Sequence, residues 1–413
     1  MRRGRFAACA ALMATAATAQ QDVATRPAVR QALDYITRNE AAQVELQVKI
    51  AEVPAPGFHE EQRAALIAAE FRRLNLENVE IDGAGNVLGV RRGDSPRMLV
   101  IAAHLDSVFP EGTDVKVKRA GSRLSGPGLV DDSRGLAVIL SLADALERFH
   151  IRTQHSLLFV ADVGEEGLGS LRGVKYLMNE AKYRSQMDAF LSIDGDGQNT
   201  IFDHEIGSRR YRVTISGPGG HSYLDFSRVN PAHALGRVMA LLANMEVPSS
   251  PKTVYNVGRI GGGTSVNSIP FDAWLEFDMR SEDDDELSRL EQHFLKLVHQ
   301  GVDEENRFRV ASGTVLKLDA KQLAVRHAIA DEKNSELVNA AVWASGQLGM
   351  GAPERKGGST DSNAAAIAGI PAMTMDGGGA AGSLHSPEEW FEPAGSSKGI
   401  AKLLLTVLRW DER

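Results

Sequence analysis

Cysteine is almost absent from this sequence of 413 residues, since Cys9 is the only one. A chain with a single cysteine forms no internal disulfide and offers no set of thiolates for a structural zinc site. Cys9 also lies in an N-terminal segment that we expect to be removed, which would leave the mature protein without cysteine. Any metal site must therefore be built from histidine and carboxylate side chains.

This N-terminal segment has the composition of a secretory signal peptide. Arg2, Arg3 and Arg5 form a basic start, and an apolar stretch of small residues follows over 6–18. Residues 1–19 end in Ala-Thr-Ala, which fits a small-residue cleavage site. A disordered or amphipathic N-terminal helix is the alternative. We expect residues 1–19 to be a signal peptide and the protein to be exported, either periplasmic or secreted.

The sequence also lacks an apolar run of membrane length and an excess of basic residues. The apolar part of the signal is too short to span a bilayer, and no later segment is long enough. Lysine and arginine total 46 against 54 aspartate and glutamate, and the formal net charge is −8 before the signal is lost. Acidic proteins without a basic stripe bind nucleic acid poorly. We therefore expect neither a nucleic-acid partner nor membrane insertion.

The length of the chain predicts two domains. Apolar runs at 98–103, 156–161 and 189–193 are typical of strands buried on both faces. Between the first two runs, residues 136–149 carry apolar side chains at helical spacing. Strands that alternate with helices predict an α/β fold with a mostly parallel sheet.

The pattern changes after about residue 208. Strand-like alternation and helical periodicity then follow each other in the order strand, helix, strand, strand, helix, which predicts a small α+β domain with an antiparallel sheet. From about residue 330 the α/β pattern resumes, with an apolar strand at 371–375. A second domain is therefore inserted into the first. The predicted boundaries are 1–19 for the signal peptide, 20–207 and 326–413 for the two parts of the first domain, and 208–325 for the inserted domain.

Histidine and aspartate side chains follow the first strand and open the next helix. His104 and Asp106 come directly after the strand, and residues two apart on an extended chain point the same way. Asp131 and Asp132 stand together at the start of the helix, where an ordinary N-cap is the alternative interpretation. A single cap does not need two adjacent carboxylates.

The later strands are followed by similar residues. Glu165 and Glu166 come just past the second strand, where a solvated loop is the alternative and where a cation would relieve their mutual repulsion. Asp194 ends the next strand, and His385 follows the last strand and a glycine-rich turn. Ligands of open α/β sheets bind outside the carboxyl ends of the strands. Histidine and carboxylate ligands in this number suit a pair of zinc ions, although Mn²⁺ or Co²⁺ suits them too.

In this order the motifs resemble the M20 family of metallopeptidases, which includes carboxypeptidase G, peptidase T and aminoacylase. The motifs are His-x-Asp at 104–106, Asp-Asp at 131–132, Gly-Glu-Glu-Gly at 164–167 and the late His385. The resemblance covers nearly the whole mature chain. It implies a zinc-peptidase-type catalytic domain with an inserted α+β lid or dimerisation domain. It also implies hydrolysis of amide bonds in small peptides, with exopeptidase-like action on di- or tripeptides.

The resemblance implies a metal-binding role at five matching positions. His104, Asp131 and Asp194 would hold one zinc ion. Asp131, Glu166 and His385 would hold the other, so that Asp131 would bridge the two.

The resemblance also implies catalytic and substrate-binding residues. Glu165 would be the general base that activates water, and Asp106 would orient His104. His221 on the inserted domain would reach a neighbouring active site and stabilise the oxyanion, so we expect a homodimer through that domain. The residues that would bind substrate are Asn267, Arg280 and Ser359.

Several alternatives remain open on the sequence alone. The aspartate at Asp194 weakly favours a peptidase over N-acyl amino acid deacylation, which would use the same metals and the same kind of bond. A non-catalytic binding protein would have no need of Glu165 beside a ligand. A two-metal phosphatase would need a basic clamp for phosphate, and no such clamp lies near the motifs.

Overall fold

The computed structural model describes residues 22–179, 182–309, 313–329 and 334–412. The predicted signal peptide, including Cys9, lies outside these ranges. None of the helices within them is long and apolar enough to cross a membrane.

Helices and strands alternate along the described chain. The helices are α1 (Pro27–Arg38), α2 (Glu40–Ala51), α3 (Glu61–Arg73), α4 (Ser133–Arg148), α5 (Arg172–Asn179), α6 (Pro231–Leu242), α7 (Asp284–Phe308), α8 (Ser335–Gln347), α9 (Ser362–Ile367) and α10 (Ser397–Asp411). The strands of the first half are β1 (Glu77–Ile81), β2 (Val87–Arg91), β3 (Ser95–His104), β4 (Lys118–Ala120), β5 (Arg123–Ser125), β6 (His155–Asp162), β7 (Met187–Ile193) and β8 (Thr200–Glu205). Those of the second half are β9 (Gly207–Ser216), β10 (Gly220–His221), β11 (Thr253–Gly262), β12 (Ser268–Ile269), β13 (Asp272–Ser281), β14 (Lys317–Arg326), β15 (Glu354–Gly358), β16 (Ala372–Met375), β17 (Ala380–Gly382) and β18 (Trp390–Glu392).

An eight-stranded sheet forms the centre of the molecule, in the order β1-β2-β6-β3-β7-β16-β8-β15. The four middle strands, β6, β3, β7 and β16, are parallel to one another. They are flanked by antiparallel neighbours, β2 on one side and β8 on the other. The predicted α/β fold with a mainly parallel sheet is therefore confirmed.

Two apolar clusters lie on opposite faces of this sheet. Leu99 and Ile101 of β3 belong to the cluster that includes residues of α4 and α10, whereas Val100 and Ala102 belong to the one that includes residues of α5 and α9. Successive side chains of a strand point to opposite faces. This is why the strand reads as a continuous apolar run, and burying each such Leu or Ile contributes roughly 1.5–3 kcal/mol.

A second, antiparallel sheet has the order β11-β13-β9-β14. Helices α6 and α7 cover one face of it, where Phe277 of β13 stacks on Phe294 of α7 with ring centroids 4.4 Å apart. The strand β14 was not predicted, because a bulge between Gln322 and Ala324 interrupts its alternation of polar and apolar residues. The boundaries proposed for this inserted segment stay a prediction.

The two segments that connect the sheets run side by side. Glu205, at the end of β8, and Ile329, just after β14, form an antiparallel bridge. Glu205 N donates to Ile329 O at 2.8 Å, and Ile329 N donates to Glu205 O at 3.0 Å. The chain therefore leaves and re-enters the part built on the eight-stranded sheet at one place.

Candidate active site

The five residues predicted to bind metal come together at the carboxyl ends of the parallel strands. His104 is the last residue of β3, Asp194 directly follows β7, and Glu166 lies just beyond β6. Asp131 precedes α4, and His385 lies on the turn between β17 and β18. Ligand atoms lying within 4.8 Å of one another form three overlapping groups: His104 with Asp131 and Asp194, His104 with Glu165 and Glu166, and Asp131 with Glu166 and His385.

Asp131 faces a different histidine with each of its carboxylate oxygens. Its Oδ1 lies 2.9 Å from His104 Nε2, and its Oδ2 lies 3.0 Å from His385 Nε2. The same nitrogen of His385 lies 2.9 Å from Glu166 Oε1. A carboxylate placed between two sets of donors has the geometry that a bridging ligand needs.

The adjacent Asp132 has a different environment. Its Oδ1 accepts from Gly135 N at 2.8 Å and caps α4, and its Oδ2 accepts from His104 N at 3.0 Å. The peptide bond between Asp131 and Asp132 is cis. The N-cap interpretation is therefore correct for Asp132, while Asp131 faces the other candidate ligands.

Glu389, which the sequence analysis did not single out, contacts the Asp131 turn from the other side. Its Oε1 accepts from Val130 N at 2.5 Å and from Asp131 N at 3.1 Å. Its carbonyl accepts from Gly126 N at 2.9 Å. The side chain is fully buried, and this burial raises the pKa of Glu389 to about 7. Glu389 follows His385 closely in sequence, so it ties the turns that carry two of the candidate ligands.

Asp106 contacts the loop that carries both glutamates. Its Oδ1 accepts from Glu165 N and its Oδ2 accepts from Glu166 N, each at 3.0 Å. His104 Nδ1 lies 3.1 Å from the backbone carbonyl of Asp106 and 3.6 Å from its carboxylate. Asp106 thus positions the loop through its carboxylate and contacts the imidazole mainly through its backbone.

The crowding of buried carboxylates changes their acidity. Burial, with the charge of Asp131 added, raises the pKa of Glu166 to about 7 and that of Asp194 to about 8. Hydrogen bonds to Asp131 and Glu166 raise the pKa of His385 to about 11. Although burial raises it, hydrogen bonds with His104 and His385 hold the pKa of Asp131 well below its usual range. Such a concentration of negative charge favours cations.

The donor atoms themselves fit divalent metal ions. His104 Nε2 and Asp131 Oδ1 are both buried and lie 2.9 Å apart, but the geometry of this contact is not that of a hydrogen bond, so neither atom has a hydrogen-bond partner within the described part of the chain. A buried polar atom left without a partner costs about 1–3 kcal/mol, and a cation that accepts its lone pair removes this cost. Imidazole nitrogen and carboxylate oxygen are ligands that Zn²⁺ takes, and Mn²⁺ and Co²⁺ suit the same set.

The two adjacent glutamates have different partners. Glu166 faces His385, whereas Glu165 Oε1 accepts from Arg326 Nη1 at 2.9 Å. The same Nη1 lies 3.1 Å from Ser359 Oγ and 2.9 Å from its carbonyl oxygen. Arg326 was not predicted as a site residue, because a lone arginine at a strand end does not reveal which carboxylate it meets. Arg326 places Ser359, which was predicted to bind substrate, next to Glu165, which was predicted to be the base.

The other predicted residues lie on the inserted part of the chain. His221 is exposed and belongs to none of the ligand groups found among the described residues. Ser222 N donates to Asn267 O at 3.0 Å, so His221 and Asn267 are neighbours. Arg280 Nε donates to Asp278 Oδ2 at 2.8 Å. Substrate contacts of these residues stay a prediction.

The comparisons with known proteins agree with this geometry. The profile of peptidase family M20/M25/M40 matches residues 100–409. Carboxypeptidase G2 of Pseudomonas sp. (strain RS-16) is 25% identical over 327 residues, which are 74% of this chain and 74% of that protein.

Solved structures are similar over most of their length. A tripeptidase from Staphylococcus aureus subsp. aureus Mu50 has a TM-score of 0.71 at 19% identity and covers 91% of this chain and 99% of its own. The YXEP protein of Bacillus subtilis, described as a dinuclear metal binding peptidase, has a TM-score of 0.60 at 17% identity and covers 90% of this chain and 99% of its own.

The matched region begins within β3 and ends within α10, so it contains all the candidate ligands as well as the second sheet. The resemblance predicted from the motifs is thereby confirmed. The chain belongs to peptidase family M20/M25/M40 and is a hydrolase of the metallopeptidase or amidohydrolase type.

Proposed function

We propose that this protein is an exported peptidase that uses two divalent metal ions to hydrolyse the amide bonds of small peptides, with di- and tripeptides as substrates. The observation that carries the proposal is the position of Asp131. Its two oxygens lie between His104 on one side and His385 on the other, with Glu165 close to the same group of donors.

The proposed ligands divide into two sets that share one residue. His104, Asp131 and Asp194 would hold one ion, and Asp131, Glu166 and His385 would hold the second. Each set corresponds to one of the groups of donor atoms within 4.8 Å of one another. Zinc is the proposed metal, and Mn²⁺ or Co²⁺ would suit the same imidazole and carboxylate donors.

The proposed chemistry is the addition of water to an amide. Divalent ions held by these residues would polarise a carbonyl group and make water a stronger acid. Glu165 removes a proton from water while the new C–O bond forms at the carbonyl carbon. Glu165 then returns that proton to the amide nitrogen as the C–N bond breaks, so the products are a carboxylate and an amine.

The remaining proposed roles concern the substrate. His221 would donate to the carbonyl oxygen as its negative charge develops, an interaction of a kind that can contribute a few kcal/mol. Asn267, Arg280 and Ser359 would bind the substrate itself. The position of Ser359 beside Arg326 and Glu165 supports its role, because a substrate bound there would lie next to the base.

Hydrolysis of a library of dipeptides, tripeptides and N-acyl amino acids, followed by mass spectrometry with and without a chelator, tests the proposal. We expect peptides to be cleaved at one end and activity to vanish on chelation. Cleavage confined to the acyl amino acids would identify the deacylase alternative instead. Activity that persists after complete metal removal would contradict the proposal.

Export has its own test. We expect cleavage after Ala19, which gives a mature chain that begins at Gln20. Amino-terminal sequencing of the protein recovered from the periplasm or the medium measures this directly. Recovery of only the intact chain, from the cytoplasm alone, would contradict export.

A further inference from the structure

We infer that Arg326 is a positioning residue that keeps Glu165 free of the metal ions, and that it does so from the end of the inserted sheet. The inference rests on the proposed function, in which Glu165 is the base and Glu166 is a ligand. It concerns a residue that neither the motifs nor the proposed ligand sets include.

Sequence and local geometry do not by themselves separate the two glutamates. They are adjacent, they are chemically alike, and their backbone N–H groups both donate to Asp106. Both also belong to the same group of potential ligands with His104. A cation at this place could therefore recruit either carboxylate, and some other feature must determine which one stays available for water.

Arg326 supplies this feature through direct contacts. Its Nη1 donates to Glu165 Oε1 at 2.9 Å, and its Nη2 donates to the Glu165 carbonyl oxygen at 2.5 Å. The side chains of Arg326 and Glu165 are only 3% and 6% exposed. Charge-assisted hydrogen bonds of a planar guanidinium are directional. One oxygen of Glu165 is thus held on the arginine, and the other remains for a water molecule.

Glu166 differs from Glu165 in the residue that its carboxylate contacts. Glu166 Oε1 lies 2.9 Å from His385 Nε2, on the side of Asp131. Its neighbour Glu165 has Arg326 as its cationic partner. The pair of carboxylates therefore diverges because one faces a histidine of the candidate metal site and the other faces an arginine that cannot bind metal.

The arginine belongs to the inserted sheet. Arg326 is the last residue of β14, and it pairs across the sheet with Ser208 of β9, which in turn pairs with Arg280 of β13. On β9, Arg210 donates to the carbonyl of Gly167. The end of the inserted sheet thus contacts the loop that carries Glu165 and Glu166 at two points, through Arg326 and through Arg210. The position of that sheet therefore determines how Glu165 is oriented.

The test uses the metal-loaded protein and four variants: Arg326→Gln, Arg326→Lys, Glu165→Gln, and the double variant Arg326→Gln/Glu165→Gln. Visible absorption of the cobalt-substituted proteins reports the coordination of the ions independently of activity. We expect Arg326→Gln to shift the spectrum towards the weaker absorption of higher-coordinate cobalt, because Glu165 then joins an ion. In the double variant this shift should be absent.

Kinetics on a peptide that the unaltered protein cleaves give the second readout. We expect Arg326→Gln to lower kcat by about tenfold to a hundredfold, the scale of a misplaced catalytic group, with a change in KM of less than about threefold. Arg326→Lys should recover part of the loss, because a lysine can still donate to Glu165. Arg212→Gln is the control, since Arg212 lies on β9 of the same sheet and pairs with Glu276 rather than with the loop that carries Glu165.

The outcomes separate the inference from the function on which it rests. An unchanged cobalt spectrum in Arg326→Gln, or an equal shift with and without Glu165, would overturn the inference. If Arg326→Gln does not fold, the spectrum and kcat of Arg326→Lys decide by the same criteria. Normal turnover of Glu165→Gln at full metal content would instead contradict the proposed function itself.

Discussion

Asp131 Oδ2 lies 3.0 Å from His385 Nε2, although one residue comes before the second sheet in the sequence and the other after it. The contact depends on the small sheet in which β5, just before Asp131, pairs with β18, just after His385. The second proposed metal position therefore exists only when the first and last parts of the catalytic domain are folded together.

Removal of Asp131 should empty both metal positions. We expect Asp131→Asn to retain fewer than one divalent ion per chain, because this carboxylate belongs to both ligand groups. His385→Ala should weaken mainly one position. Elemental analysis after extensive dialysis measures the content, and Asp144→Asn is the control because Asp144 lies away from these groups on α4. Two ions retained by Asp131→Asn would contradict the shared role.

The two adjacent glutamates should respond differently to the same substitution. Glu165→Gln should keep both ions and lose about 10²–10⁴ in kcat, the usual scale for a positioned base. Glu166→Gln should lower the metal content. Metal analysis and steady-state kinetics on the same preparations give both quantities. The reverse result, with metal lost from Glu165→Gln and kept in Glu166→Gln, would exchange the two roles.

Glu389 should stabilise the fold as well as the site. Glu389→Ala leaves the N–H groups of Val130 and Asp131 without their acceptor, and each unsatisfied buried group costs about 1–3 kcal/mol. We expect a lower free energy of unfolding in urea and weaker metal binding. The adjacent Glu388 is exposed, so Glu388→Ala is the matched control and should change neither. Equal stability of the two variants would exclude this role for Glu389.

A buried ion pair outside the groups of candidate ligands should contribute to stability. Lys402 Nζ lies 2.9 Å from Asp376 Oδ2, and both side chains are fully buried. Lys402→Met should cost about 3–5 kcal/mol, because it leaves a buried carboxylate unpaired. Denaturant unfolding measures the loss, with the exposed Lys398→Met as control. A loss below about 1 kcal/mol would show that Asp376 finds another partner.

The proposed homodimer leads to a mixing experiment. If His221 acts on the active site of a second copy, an inactive His221→Ala dimer and an inactive Glu165→Ala dimer should regain partial activity after exchange of subunits. The recovered fraction is measured against the unaltered protein, with exchange confirmed by mass spectrometry. No recovery after proven exchange would place His221 in its own active site.

The sequence predicted those strands that have a recognisable apolar pattern and those candidate ligands that directly follow such a strand. β3 is apolar throughout because both of its faces are buried, and this pattern also locates its carboxyl end, where His104 lies. The same reasoning located Glu166 and Asp194 at the ends of β6 and β7. Alternation along β9 and β13 likewise indicated the sheet of the inserted part.

The rest depends on contacts between distant segments. The role of Glu389 requires that its turn meets Val130, and no local pattern encodes that meeting. The strand β14 lies at the edge of its sheet and a bulge interrupts its alternation, so Arg326 at its end was not recognised as part of the site. Asp131 and Asp132 differ only through their surroundings, because Asp132 caps a helix whereas Asp131 faces two histidines.

The bridge between Glu205 and Ile329 limits the ways in which the inserted part can move. A single connecting strand would allow the inserted part to rotate in any direction. Two strands joined by hydrogen bonds would instead restrict it to bending about a common axis. Arg326 ends β14, just before the bridge, and would therefore be displaced little. His221 lies beyond the opposite end of β9, a ten-residue strand roughly 30 Å long. A small rotation about this axis would therefore move His221 much further than Arg326.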